Sequence, residues 1–178
     1  MSRRALDFYE TPPHYVRALL TRIPAITSAR VAEPCVGEGA ISRFLSKPHT
    51  NDIDTARHAT THLDATTLDY WAVLKRLQLD WIVTNPPFNL AYQILDRALS
   101  QTRLPIALCL RLSFLEPTEE RQWLLNAFPP SGQIILPRYS FRLNDHGKRQ
   151  TDSVTCAWMI WNYDLMPPIQ IEPRLVEV

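Results

Sequence analysis

Apolar positions along this chain follow two alternating rhythms. Helical spacing comes first, at Val16, Leu19, Leu20 and Ile23, in a segment opened by Thr11-Pro12-Pro13. Ala29 to Glu33 then reads as a short strand that stops at Pro34. Ala40 to Ser46 reads as a short helix ended before Pro48, Thr50 to Asp52 as a second strand, and His62-Leu63 as part of a third. Leu68, Trp71, Leu74 and Leu77 return to helical spacing, and Trp81 to Thr84 returns to a strand. Leu90, Ile94, Leu95, Ala98 and Leu99 predict a helix over 90–100. Pro105 to Phe114 is almost continuously apolar, as a strand covered on both faces must be. Acids in Glu116-Pro117-Thr118-Glu119-Glu120 favour the positive end of a helix dipole, so a helix is expected from there to about Phe128. Gln133 to Leu136 and Val154 to Trp161 are the last two predicted strands, and 163–178 is expected to be an extended tail. Helices alternating with strands predict the α/β class.

Composition narrows this picture. A length of 178 residues predicts one domain spanning 1–178, with a core over 9–161. A hydrophobic content of 46% with five Trp implies a packed interior. No run of 18 apolar residues occurs, and Met-Ser-Arg-Arg leads to Asp7 instead of a signal-peptide core, so no membrane association and a cytoplasmic location are expected. Cys35, Cys109 and Cys156 are odd in number, widely spaced and without CxxC or paired His, which predicts reduced thiols and no metal site. The net charge of +1 selects no partner. Local charge says more: Arg138, Arg142, His146, Lys148 and Arg149 lie within twelve residues. The segment 138–152 is read either as a nucleic-acid-facing loop or as a solvated hairpin.

The chemistry concentrates at Asn85-Pro86-Pro87-Phe88, directly after the strand-like run Trp81 to Thr84. Two prolines fix φ near −65° and carry no amide proton, and Asn85, preceding proline, is forced into an extended conformation. The turn therefore offers a side-chain carbonyl, a backbone carbonyl and an aromatic ring together. Two neutral acceptors can grip the hydrogens of a planar amino group while Phe88 stacks on the ring that carries it. An exocyclic amine is a poor nucleophile because its lone pair is delocalised, and such a grip favours a pyramidal nitrogen with its lone pair aimed outward. At ordinary proline usage this tetrapeptide arises by chance about once in 10⁵ positions, which argues for a motif over a casual Pro-rich turn.

Upstream, two of only four glycines fall in Glu33-Pro34-Cys35-Val36-Gly37-Glu38-Gly39, after the first strand. Glycine there permits positive φ and close backbone approach to a ligand, although an ordinary strand-to-helix turn fits the same residues. The dinucleotide pattern G-x-G-x-x-G and the P-loop are both absent, against NAD or ATP. Asn51-Asp52-Ile53-Asp54 follows the second strand. An acid there can accept from both ribose hydroxyls, with Ile53 over a base, or the run is a solvated acidic turn. Asp64, before Ala65, suits either an adenine-amino acceptor or a helix cap.

Taken in order, Phe8-Tyr9-Glu10-Thr11-Pro12, Glu33 to Gly39, Asp52-Ile53-Asp54, Asp64-Ala65 and Asn85-Pro86-Pro87-Phe88 resemble the S-adenosylmethionine-dependent DNA adenine-N6 methyltransferases. The likeness is greatest to small phage-type enzymes and covers roughly the first two thirds of the chain. It implies a Rossmann-like class I methyltransferase fold, a twisted, mostly parallel seven-stranded sheet flanked by helices, with the last strand antiparallel. By the same resemblance Tyr9, Thr11 and Pro12 contact the methionine end of S-adenosylmethionine. Glu33, Pro34, Gly37 and Gly39 form its glycine loop, Asp52 holds its ribose, Ile53 covers its adenine and Asp64 accepts from the adenine amine. Asn85, Pro86, Pro87 and Phe88 are the implied catalytic residues, with Asn85 also beside the cofactor. DNA is the implied partner, with Arg138, Arg142, Lys148 and Arg149 as candidate contacts. No separate target-recognition domain is expected, hence low sequence specificity, in a monomer or homodimer of a bacterial or phage-infected cell. RNA amino-methyltransferases acting on adenine N6 or guanine N2 and protein-glutamine methyltransferases share the Asn-Pro-Pro-aromatic turn. The segment Tyr9 to Pro12, ahead of the glycine loop, favours DNA over RNA, and protein-glutamine methyltransferases usually carry a further amino-terminal helical domain, which is not expected here. A non-enzymatic remnant that binds cofactor or DNA would not need the Asn85 and Pro86 acceptor pair.

Overall fold

A computed structural model describes residues 10–139, 154–165 and 167–173. Seven strands form one sheet in the order β2-β1-β3-β4-β6-β5-β7. They are β1 (Arg30–Glu33), β2 (Lys47–Thr50), β3 (Trp81–Thr84), β4 (Ile106–Arg111), β5 (Gly132–Ile135), β6 (Cys156–Trp161) and β7 (Ile169–Ile171). β1, β2, β3 and β4 pair in parallel, β6 runs antiparallel to both β4 and β5, and β7 is parallel to β5. The helices are α1 (Pro13–Arg22), α2 (Leu68–Leu74), α3 (Ala91–Gln101) and α4 (Glu119–Ala127).

The sheet is covered on both faces, and strand alternation sorts its side chains between two cores. Val31, Val83, Ala107, Cys109, Ile134, Trp158 and Ile160 pack with Tyr15, Val16 and Leu19 of α1. Ala32, Ile82, Ile106, Leu108, Ala157, Met159 and Trp161 pack with α2, α3 and Leu124 of α4. Every residue of β3 and β6 is buried, which explains their unbroken apolar sequences. Trp158 Nε1 donates to Tyr15 O (2.7 Å) and Tyr15 Oη donates to Pro137 O (2.6 Å), tying α1 across the sheet to the end of β5.

The α/β expectation holds, with corrections at the margins. β2 occupies 47–50, not 50–52, and contains Pro48. As an edge strand it pairs only with β1, so the missing proline amide can face away from the ladder. His62-Leu63 joins no strand; the nearest pairing is a single parallel bridge between Asn51 and Thr61. The helix expected over 40–46 is a 3-10 turn at Ser42–Phe44, too short for a dipole-bearing helix. α4 starts at Glu119, because Thr118 takes the N-cap and accepts from the Arg121 amide. β6, the last strand foreseen, is the antiparallel one, and the tail supplies the seventh strand, β7. No helix among the described residues is long and apolar enough to cross a membrane.

Candidate active site

β1, β2 and β3 run parallel, so their carboxyl ends open onto one edge of the sheet, where ligands of open α/β sheets bind. A cleft lies there, and the loops after all three strands line it. Gly37 and Gly39 adopt φ of +53° and +75°, the left-handed region that glycine enters without strain. A Cβ on Gly39 would stand 3.1 Å from Ser42 Oγ. The backbone is thus curled close, and its Gly37 amide donates to Asp52 Oδ2 (2.8 Å). Asp52 Oδ1 accepts from the Asp54 amide (3.0 Å). Both carboxylate oxygens therefore already shape the loops, and each keeps capacity to accept a further hydrogen bond in the cleft that Asp52 lines.

Asn51, which the sequence reading passed over in favour of its neighbour, is the residue that fastens these loops. It is fully buried. Its Nδ2 donates to Pro34 O and Leu63 O (2.9 Å each), and its Oδ1 accepts from Thr61 Oγ1 (2.8 Å) and the Leu63 amide (3.0 Å). One side chain thereby ties the glycine loop, the end of β2 and the segment leading to Asp64. Ile53 is 53% exposed on the cleft wall, as an apolar cover for a flat ligand would be. Asp64 Oδ1 accepts from the amide and hydroxyl of Thr66 (2.8 and 2.7 Å), so this acid does cap a turn while also lining the cleft. Arg57, another residue without a sequence assignment, borders the cleft and pairs with Glu38 and with Asp54 (3.3 Å).

Glu33 ends β1 with 1% of its surface exposed, and its Oε2 has no hydrogen-bond partner among the described residues. Burial first, then the charge of Asp52, raises this carboxyl well above its ordinary range, against a hydrogen bond from the Ser42 backbone. A buried, unsatisfied acceptor is costly on its own and suits a cationic ligand group. It lines a small recess with Thr11, Val36 and Asn85, next to the main cleft. Burial, followed by the charges of Asp52 and Glu33, pushes the neighbouring Cys35 thiol up, which keeps it protonated and a weak nucleophile.

The Asn85–Phe88 turn closes the other side of the cleft. Asn85 Nδ2 donates to Thr11 Oγ1 (3.0 Å), and Thr11 is 4% exposed. This contact fixes the amide so that its oxygen points away from Thr11. Pro12 is buried at the start of α1, its carbonyl accepting from Tyr15 (2.9 Å). Pro86 and Pro87 both line the cleft, and the Pro87 carbonyl, which accepts from the Leu90 amide (2.9 Å), is taken up by the turn into α3. Thr84, fully buried, accepts from the Cys35 amide (3.2 Å) and links this turn to the glycine loop. Phe88 carries the guanidinium of Arg111, whose Cζ lies 4.4 Å from the ring centroid. A charged residue ending an otherwise apolar strand was the one sequence sign of Arg111. Of the candidate nucleic-acid contacts, Arg138 is exposed just beyond β5. Tyr9, Arg142, Lys148 and Arg149 lie outside the described residues. Among the described residues no group of His, Cys, Asp and Glu is arranged to hold a metal ion.

No protein-family model matches this chain, and no curated protein matches it in sequence. Solved structures do. The M protein of the type I restriction enzyme EcoKI superposes with a TM-score of 0.63 at 11% identity, over 92% of this chain and 46% of its own. A modification subunit assigned to a type I restriction enzyme of Vibrio vulnificus gives 0.61 at 12%, over 91% and 45%. A protein assigned as an RNA methyltransferase from Pyrococcus horikoshii gives 0.62 at 14%, over 92% of both chains. The chain spans less than half the length of the two modification proteins and nearly the whole of the third. The fold is the Rossmann-like class I methyltransferase fold.

Proposed function

We propose that this protein transfers a methyl group from S-adenosylmethionine to the N6 amino group of adenine in DNA. The observation that carries this reading is the placement of the Asn85-Pro86-Pro87-Phe88 turn against the Gly37, Asp52 and Asp64 cleft at one sheet edge. The cleft residues fit the cofactor. Asp52 would hold the ribose, Ile53 would cover the adenine, Asp64 would accept from its amine, and the buried Glu33 carboxyl would meet the cationic methionine end. When bound, the cofactor supplies an electrophilic methyl group on a sulfonium whose departure leaves a neutral thioether.

The protein's own part is orientation and electrostatics. Asn85 Oδ1 and the Pro86 carbonyl accept the two hydrogens of the target amine, and Thr11 keeps the Asn85 amide from flipping. Phe88 stacks on the base, which must leave a duplex or arrive single-stranded at a cost of a few kcal/mol. The protonated Cys35 thiol lining the cleft does not compete as a nucleophile. An RNA amine is the second reading, favoured by the match along almost the full length of the Pyrococcus protein assigned as an RNA methyltransferase.

Incubation with tritiated S-adenosylmethionine and separate pools of DNA, RNA and protein tests both. Label in DNA as N6-methyladenine is expected. Label confined to RNA establishes the second reading, and label in no pool removes both.

A further inference from the structure

We propose that Arg111 is a positioning residue for base recognition: its guanidinium braces the Phe88 ring so that the ring presents a fixed flat face to the target base. The inference rests on the amino-methyltransferase reading above and adds a residue that no part of the motif contains.

Three observations carry it. Arg111 is the last residue of β4, two strands from β1 and next to β3, whose carboxyl end feeds the Asn85–Phe88 turn. By strand alternation it shares the α1 side of the sheet with Ala107 and Cys109, and Phe88 packs against that same core. Its backbone is fixed, since it pairs with Cys156 on β6 and the next amide, of Leu112, donates to Thr155 O (3.0 Å). The guanidinium then lies 4.4 Å from the Phe88 centroid, within stacking contact, against 5.7 Å for Arg17 over Phe44 and 5.9 Å for Arg121 over Phe114.

Phe88 also lines the cofactor cleft, so the ring has Arg111 on it and the reaction site beside it. A phenyl ring after two prolines has a fixed root but can still swing about its side-chain torsions. A planar cation on one face selects one orientation, because the ring quadrupole attracts it most strongly there. It also draws electron density toward itself, which lowers repulsion between the other face and the π cloud of a purine. Arg111 thus acts through Phe88 and touches no reacting atom.

Single-turnover methyl transfer to genomic DNA with Arg111→Gln, Arg111→Lys, Phe88→Leu and the Phe88→Leu/Arg111→Gln double variant tests this. Arg111→Gln is expected to slow transfer about tenfold by freeing the Phe88 ring, with the dissociation constant of S-adenosylmethionine unchanged and the melting temperature lowered by no more than a few degrees, as loss of one cation–π contact requires. Arg111→Lys should recover part of the rate. In the Phe88→Leu background the same Arg111→Gln change should cost less than about twofold, because its partner is gone.

Three outcomes would overturn the proposal. A full tenfold cost in the Phe88→Leu background, with the log–log salt dependence of DNA binding reduced by about one unit, makes Arg111 a phosphate contact instead. A faster Arg111→Gln variant means that the guanidinium occupies the face the base needs. Transfer by the parent protein to no nucleic acid removes the functional reading itself. That failure is seen in the parent alone, before any variant is compared.

Discussion

Asn85 and Glu33 line the same recess and predict opposite phenotypes. Asn85→Ala removes an acceptor already oriented by Thr11, and loss of one preorganised polar contact costs ~10²–10³ in rate. Calorimetry should show cofactor affinity little changed while single-turnover transfer collapses; transfer at the parent rate would sink the assignment. Glu33→Gln should instead weaken cofactor binding and alter the pH dependence of stability. Folded Glu33 keeps its proton at pH values where the unfolded chain, with its carboxyl near 4.5, has lost it. The native state then binds more protons than the unfolded state, so stability falls as pH rises above about 4.5 until Glu33 itself ionises. Melting temperatures of parent and Glu33→Gln between about pH 4 and pH 8 should diverge, with the variant declining less. Parallel profiles would show that the buried carboxyl holds no proton. The motif residues were legible because each must be one chemical type. Asn51, Thr84 and Arg111 were not, because their work is done through partners 10 to 49 residues away for the first two and across strands for Arg111. A lone Asn, Thr or Arg announces no such distant contact.

Long apolar elements gave themselves away, and short or polar ones did not. β3, β6 and α3 match the sequence pattern closely because burial on both faces, or one wide apolar stripe, leaves few alternatives, whereas the apolar run from Pro105 to Phe114 is a strand only to Arg111 and turns into a 3-10 helix at Leu112–Leu115. β2 reads Lys47-Pro48-His49-Thr50, which has no strand-like pattern, since an edge strand half covered needs none. β7 was missed for a reason that lies in another strand. Gly132, at the start of β5, has no side chain, and Leu165 packs where one would be. A Cβ there would stand 2.7 Å from Leu165 Cδ1 and 2.9 Å from its Cβ. Absence of a methyl group at 132 thus lets the return from β6 lie flat against β5, which delivers Ile169–Ile171 to the sheet edge. Gly132→Ala should therefore cost ~1–3 kcal/mol by overpacking. Urea denaturation of Gly132→Ala, Leu165→Ala and the pair should show a combined loss smaller than the sum. Strict additivity would mean that the two positions do not compete for the same space.

The whole sheet, from the helix opening at Pro13 to the strand ending at Ile171, serves to bring the loops after β1, β2 and β3 to one edge. Reading a DNA sequence is a separate task. It needs an element in the major groove with side chains that pair to base edges, each discriminating by ~1–3 kcal/mol. Here the described elements run from Pro13 to Ile171, and the type I modification proteins of the same fold are about twice as long. The segment 138–152, basic at Arg138, Arg142, Lys148 and Arg149, is proposed as the reading surface, and it falls almost wholly outside the described residues. On that proposal its sequence would provide for one or two base contacts beside phosphate contacts that position without specifying. The 178-residue polypeptide is therefore expected to methylate adenines in a short or loosely defined context. Genomic DNA methylated in vitro and sequenced with a modification-sensitive read-out decides this, with light scattering on the same sample to fix the oligomeric state. Methylation spread over many contexts is the expected result. Methylation confined to one motif of about five or more fixed bases would reveal a recognition surface beyond this segment, and a palindromic motif with a dimer in solution would place half of it on a second copy.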